Sequence, residues 1–258
     1  MKIGASTACF YPLETEKALK RLAEAEIKNV EIFFNADCEL TGKVFEEIKE
    51  ITKENGLSVL SVHPYTSAVE TMSLFGDYPR RFDSMMDTYK RYFEIMCSLK
   101  AKVFVLHGAL KSAAVSSELY FERYLKLFEE GKSFGVTVAQ ENVSYCKSGS
   151  REFISLMKNS LGDKCGFVLD VKQALRSGLS AFDILEELGS SIVHCHLSDY
   201  NDKTDCIPVG KGSFDFGRFK DILDRIGYKG SIILELYKNG YESIEEIKES
   251  IAYMEKFF

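Results

Sequence analysis

Eight short apolar runs alternate with amphipathic stretches along the whole chain, and few folds accept that order. The runs are "KIGAST" (2–7), "NVEIFF" (29–34), "LSVLSVH" (57–63), "KVFVLHG" (102–108), "VTVAQE" (136–141), "CGFVLD" (165–170), "IVHCHLSD" (192–199) and "SIILELY" (231–237). Between them stand segments such as "ETEKALKRLAEAEI", "GKVFEEIKEITKENG", "FERYLKLFEEGKSFG" and "FGRFKDILDRIGYKG", whose apolar residues recur at three- and four-residue spacing. A strand followed by a helix, repeated, calls for parallel pairing through crossover connections. Gly56, Gly135 and Gly230 stand where a left-handed helix cap would precede the next strand.

A closed eight-stranded barrel is the simplest arrangement, and an open doubly wound sheet is the alternative. The segment after the first run, "GASTACFYP", is not the glycine-rich phosphate turn of a nucleotide-binding open sheet, which favours the barrel. The length of 258 residues fits a barrel of about 250. No linker, low-complexity tract or charge block divides the chain. The expected fold is therefore α/β, a single-domain (β/α)8 TIM barrel over residues 1–258.

Composition narrows the function. No apolar run approaches the roughly 20 residues of a membrane-crossing helix, and "MKIGASTACF" reads as a first strand rather than a leader. The expected location is the cytoplasm, with no membrane partner. A net charge of −6 argues against a general nucleic-acid binder, which presents a basic surface. The seven cysteines (Cys9, Cys38, Cys97, Cys146, Cys165, Cys195 and Cys206) are odd in number and include no C-x-x-C pair, so reduced thiols are expected rather than a disulfide framework or zinc knuckle.

Polar residues collect where the apolar runs end. These are His63, His107, Glu141, Asp170, His196 with Asp199, and Glu235. In a parallel barrel all strand C-termini open on one face, where barrel enzymes place their active sites. Each residue alone has an ordinary explanation: a strand-end carboxylate caps the next helix or pairs with a lysine, and a lone histidine is a hydrogen-bonded core residue. Charges this near a core are costly unless paired or coordinated. Two Glu, one Asp and one His form an oxygen-rich set with one imidazole, suited to a single divalent ion: Mn²⁺, Zn²⁺, Co²⁺ or Mg²⁺. His194, two residues before His196, points to the same face one layer deeper and is expected to be a satisfied interior residue.

Taken in order, "H" (63), "HG" (107–108), "EN" (141–142), "LD" (169–170), "HCHLSD" (194–199), "GKG" (210–212) and "LEL" (234–236) resemble the xylose isomerase-like TIM barrel superfamily. That group includes sugar phosphate isomerases and epimerases, ketose 3-epimerases, inosose dehydratase and DNA-repair endonucleases of the endonuclease IV type. The resemblance implies a metal on Glu141, Asp170, His196 and Glu235, with Glu141 and Glu235 also the catalytic acid/base pair. It places His63 and His107 against substrate, or on a further zinc in the repair enzymes. It implies a small sugar or polyol substrate, and homo-oligomers are common in such families. Two departures matter. Gln173 stands where the superfamily often has histidine, and Cys206 stands where the repair enzymes carry a histidine. Together with the acidic charge, these disfavour the nuclease.

Asp199, Gln173 and Lys211 complete the expected substrate contacts. Gly210 and Gly212 would offer amides to an anion beside Lys211, or else form a loop in which Asp215 or Ser213 caps a helix. The long segment "PYTSAVETMSLFGDYPRRF" is either a lid or a packed surface loop. The expected activity is metal-dependent sugar or sugar-phosphate isomerisation or epimerisation through an enediolate. The alternatives are a dehydratase, the nuclease, or a non-catalytic sugar-binding barrel.

Overall fold

Each apolar run forms one strand: β1 (Lys2–Ser6), β2 (Asn29–Phe33), β3 (Ser58–His63), β4 (Val103–Leu106), β5 (Thr137–Glu141), β6 (Gly166–Asp170), β7 (Ile192–Leu197) and β8 (Ser231–Leu234). In a computed structural model describing residues 1–258, they pair in chain order, all parallel, and β8 closes onto β1. The main crossover helices are α1 (Thr15–Glu24), α2 (Gly42–Glu54), α4 (Pro79–Leu99), α5 (Ser117–Ser133), α6 (Arg151–Leu161), α8 (Ala181–Leu188), α9 (Phe216–Arg225) and α10 (Ile244–Met254). Two shorter helices, α3 (Ser67–Ser73) and α7 (Val171–Arg176), sit on the loops after β3 and β6. The expected (β/α)8 barrel is therefore the fold. None of its helices is long and apolar enough to cross a membrane.

Period two divides the strand residues between two cores. Outward-facing residues such as Val30, Ile32, Phe104, Val138 and Phe167 join the helices in a cluster of 65 buried residues. Inward, Val103, Val105, Ala139 and Val168 form a small separate cluster. On β4, β5 and β6 these share the parity of His107, Glu141 and Asp170, so the inward face is apolar low in the barrel and ionisable at its mouth. Two register shifts adjust the levels. One, between Val30 and Glu31, brings Glu31 opposite Ser61; the other, between Phe167 and Val168, brings Val168 opposite His194.

Gly56 and Gly135 take the expected positive φ of 61° and 70°. Gly230 does not. The left-handed residue after α9 is Gly227, with φ 66°, and Gly230 is small for another reason. A Cβ there would stand 2.2 Å from the Val193 carbonyl oxygen and 2.4 Å from the Tyr228 hydroxyl. Gly230→Ala is expected to destabilise the barrel by about 2–3 kcal/mol through overpacking against backbone, whereas Gly227→Ala should cost about 1 kcal/mol. Urea unfolding of both variants checks the order; an equal or reversed cost would contradict the close-approach argument.

Candidate metal centre

His196 stands at the centre of the barrel mouth, 1% exposed. Its Nδ1 faces three carboxylates: Glu141 Oε1 at 3.2 Å, Glu235 Oε2 at 3.7 Å and Asp170 Oδ2 at 3.9 Å. One ligand atom from each of the four residues falls within 4.8 Å of all the others. The structure thus brings the four expected ligands to one point, although they come from strands β5 and β6, from β7, and from just past β8.

The ring is anchored from below by Glu31, the one charge inside "NVEIFF". Glu31 is fully buried. Its Oε2 accepts a hydrogen bond from Ser61 Oγ at 2.7 Å and meets His194 Nε2 at 3.2 Å and His196 Nε2 at 3.0 Å. With Nε2–H donated to Glu31, a deprotonated Nδ1 would turn its lone pair to the carboxylate ring, the form that a bound cation requires. A carboxylate behind a histidine in this way fixes tautomer and ring orientation. His194 is the satisfied interior residue expected, with Nδ1 2.9 Å from Ser231 Oγ.

The donor set fits a divalent ion for a second reason. Asp170 Oδ2 and Glu141 Oε2 are buried and make no well-directed hydrogen bond, although Lys172 Nζ stands 3.3 Å from the first and His107 Nε2 2.9 Å from the second; buried carboxylate oxygens of this kind are stabilised by positive charge beside them. Asp170 also explains its own placement. Its Oδ1 accepts from the Gln173 amide at 2.8 Å as the cap of α7, so the helix-cap reading and the ligand reading describe its two oxygens separately.

Above the ring opens a cavity of about 470 Å³, lined by Glu141, Glu235, His63, His107, Gln173 and Lys172 and by the rings of Tyr11, Phe33, Tyr65, Tyr145 and Tyr237. His63 Nδ1 donates to the Pro64 carbonyl at 3.1 Å, which leaves its Nε2 to face His107 Nε2 at 2.8 Å. His107 Nε2 also stands 2.9 Å from Glu141 Oε2, and Tyr145 OH reaches its Nδ1 at 3.4 Å. His63, His107 and Glu141 thereby form a second group with metal-ligand spacing. Gln173 Oε1 accepts from the Ser144 amide at 3.0 Å while its side chain lines the wall.

Asp199 and Lys211 are not brought to the cavity. The Asp199 carboxylate turns away and accepts four amides: Tyr200 and Phe214 on Oδ1, Gly210 and Gly212 on Oδ2. The glycine-rich loop does cradle an anion, and the anion is this protein's own side chain. Lys211 Nζ pairs with Glu246 at 2.6 Å and Glu249 at 3.6 Å on the outer surface, and Asp215 caps α9 through the Arg218 amide. Neither Asp199 nor Lys211 is retained as a substrate contact. The segment after β3 is packed down. Glu70, fully buried on α3, accepts from Tyr89 OH at 2.8 Å and from the Gly108 amide, and Phe75 stacks on Tyr120 at 3.9 Å.

A family model described as xylose isomerase-like TIM barrel matches residues 19–257. The chain belongs to that family. Among its relatives is an uncharacterised protein of Mycobacterium leprae, 21% identical over 95% of this chain and 92% of the relative. The fold is shared with a D-tagatose 3-epimerase-like protein (TM-score 0.80, 20% identity, 99% of both chains). It is shared equally with the IOLI protein, solved with a zinc atom (TM-score 0.80, 17% identity, 100% of this chain and 99% of that one).

The electrostatics of this xylose isomerase-like centre follow from burial. Asp170 is pushed up to about 7, mainly by desolvation, with Lys172 pulling the other way and Glu141 and Glu235 adding to the rise. For His196, burial opposes the charged ring, yet Glu31 and Glu235 overcome it and hold the pKa well above the ordinary value. Both groups bind a proton more tightly folded than unfolded. Their stabilisation is full at low pH and is lost as pH rises, for Asp170 between its unfolded value near 4 and about 7. Chelator-treated protein should therefore melt at progressively lower temperature from about pH 5 to pH 8, and added Mn²⁺ should flatten that slope because its ligands bind deprotonated. A flat profile with chelator would contradict the assignment. Glu31→Gln, which keeps the shape and removes the charge behind His196, should weaken Mn²⁺ binding about 10–100-fold in a fluorescence titration while leaving the circular dichroism spectrum unchanged.

Proposed function

We propose that this protein is a metal-dependent isomerase or epimerase of a small sugar or polyol, with Glu141 and Glu235 as its acid/base pair. One observation carries the reading. Glu141 and Glu235 belong to the four-residue group with metal-ligand spacing and also line the cavity above it. A divalent ion held by Glu141, Asp170, His196 and Glu235, whether Mn²⁺, Zn²⁺, Co²⁺ or Mg²⁺, would supply Lewis-acid polarisation of a substrate carbonyl.

The chain's own residues do the rest. One of the two glutamates removes the proton from the carbon next to the carbonyl. The other returns a proton, to the opposite face of that carbon for epimerisation or to the neighbouring carbon for isomerisation. His63 and His107 stand at the wall with ring nitrogens directed at Glu141 and at each other, placed to meet substrate hydroxyls. Gln173 lies on the same wall as a neutral donor and acceptor. The aromatic rings of Tyr11, Phe33, Tyr65, Tyr145 and Tyr237 give apolar faces for the C–H edges of a sugar and exclude water from the reacting carbons. A net charge of −6 and a carboxylate-lined mouth suit a small polyol better than a nucleic-acid backbone.

Deuterium uptake from D₂O into ketoses, inososes and sugar phosphates, with Mn²⁺ present, tests the reading. Wild-type protein should exchange one carbon-bound proton of its substrate, and Glu141→Gln and Glu235→Gln should each lower that rate by about a hundredfold or more. Exchange at the wild-type rate in either variant would remove that residue from the acid/base pair.

A further inference from the structure

Lys172 is a buried cation inside the carboxylate ring. It follows Asp170 by two residues in the first turn of α7, and its side chain is 2% exposed. Nζ donates to Glu235 Oε2 at 2.8 Å and stands 3.3 Å from Asp170 Oδ2. These are the two oxygens that Glu235 and Asp170 turn toward His196 Nδ1. The ammonium is held in place from behind. It lies 4.5 Å from the centre of the Tyr237 ring, Tyr237 OH accepts from Arg176 Nη1 at 2.9 Å, and Arg176 is gripped by Asp205 through Nε and Nη2. A positive charge at the start of a helix opposes the helix dipole, and burying an ammonium is costly without anionic partners. Only the carboxylates justify its position.

We propose that Lys172 is the resident cation of this centre and sets its affinity for divalent ions. The inference rests on the metal-centre reading above. With no ion bound, the ammonium neutralises Asp170 and Glu235 and keeps the ring of acids together. An ion that takes Asp170 and Glu235 must draw the same oxygens away from Lys172 and then coexist with its charge. Both effects have one sign: the lysine stabilises the free centre and repels the loaded one. The centre is thereby built to exchange its ion rather than to hold it permanently.

Lys172→Met and Lys172→Gln, in the full chain stripped with chelator, test this by titration with Mn²⁺ against a chromophoric chelator and by thermal unfolding with and without the ion. Both variants should bind Mn²⁺ about tenfold more tightly or better, the response to removing a unit charge beside a divalent ion. Their melting temperatures should fall more in the stripped state than in the loaded one. Affinity equal to wild type or weaker, in either folded variant, overturns the proposal while leaving the metal centre intact. Should Lys172→Met fail to fold when stripped, the polar Lys172→Gln decides alone. Wild-type protein that takes up no stoichiometric Mn²⁺ overturns both the metal centre and the role of Lys172.

Discussion

The contact between Glu31 Oε2 and His196 Nε2, 3.0 Å long and closed to solvent, governs how the barrel mouth is arranged. It gives the imidazole a direction. With Nε2 committed downward, Nδ1 faces the three carboxylates that β5, β6 and the end of β8 deliver, and the four donors converge. Glu31 in turn is held by Ser61 and His194, so the lowest polar layer of the barrel is a hydrogen-bonded floor. A floor of this kind is worth more than its separate bonds, since each partner limits the geometry of the next.

Above that floor the three acids share burial but differ in how their neighbours act on their charge. Glu141 is held well below the ordinary carboxylate range: burial opposes this, and the surrounding histidines, His107 first, overcome it. Glu235 is also lowered, with burial outweighed by Lys172 and His196. Asp170 alone is raised, because burial and its two acidic neighbours exceed the pull of Lys172. The chain between these residues supports the arrangement. Asn142, directly after Glu141, accepts from the Asp170 amide at 2.7 Å and donates to the Asp170 carbonyl at 3.0 Å. That pair of bonds ties the ends of β5 and β6 and fixes the separation of the two carboxylates that follow from them.

The sequence made the barrel legible because eight apolar runs and their helical partners leave one simple topology, and the strand ends then identify Glu141, Asp170, His196 and Glu235 as neighbours. Periodicity says which face a residue takes but not what it touches. Glu31 stood in plain sight as a charge in the middle of "NVEIFF", and only the register shift after Val30 shows it level with Ser61 and beneath His196. Lys172 was hidden for another reason: it lies beyond a strand end, on a helical turn whose direction sequence spacing does not give. Asp199 and Lys211 failed in the converse way. Both follow strand β7 in a loop, and the chain there folds back so that Asp199 organises the loop and Lys211 turns to α10.

The same contrast explains why the polar residues of the loops divide into two kinds. Asp199 and Glu70 are buried acids that spend their oxygens on backbone amides or a tyrosine hydroxyl. Such carboxylates hold loops in place and have nothing left to offer a ligand. Glu141 and Asp170 instead turn their oxygens to ionisable side chains, His107 and His196 for the first and Lys172 for the second. Burial therefore does not distinguish the acids that hold loops from those that face His196; the groups their oxygens touch do. By that measure the acids divide at the barrel mouth: those facing His196 meet histidine and lysine side chains, and those beyond it hold the surrounding loops.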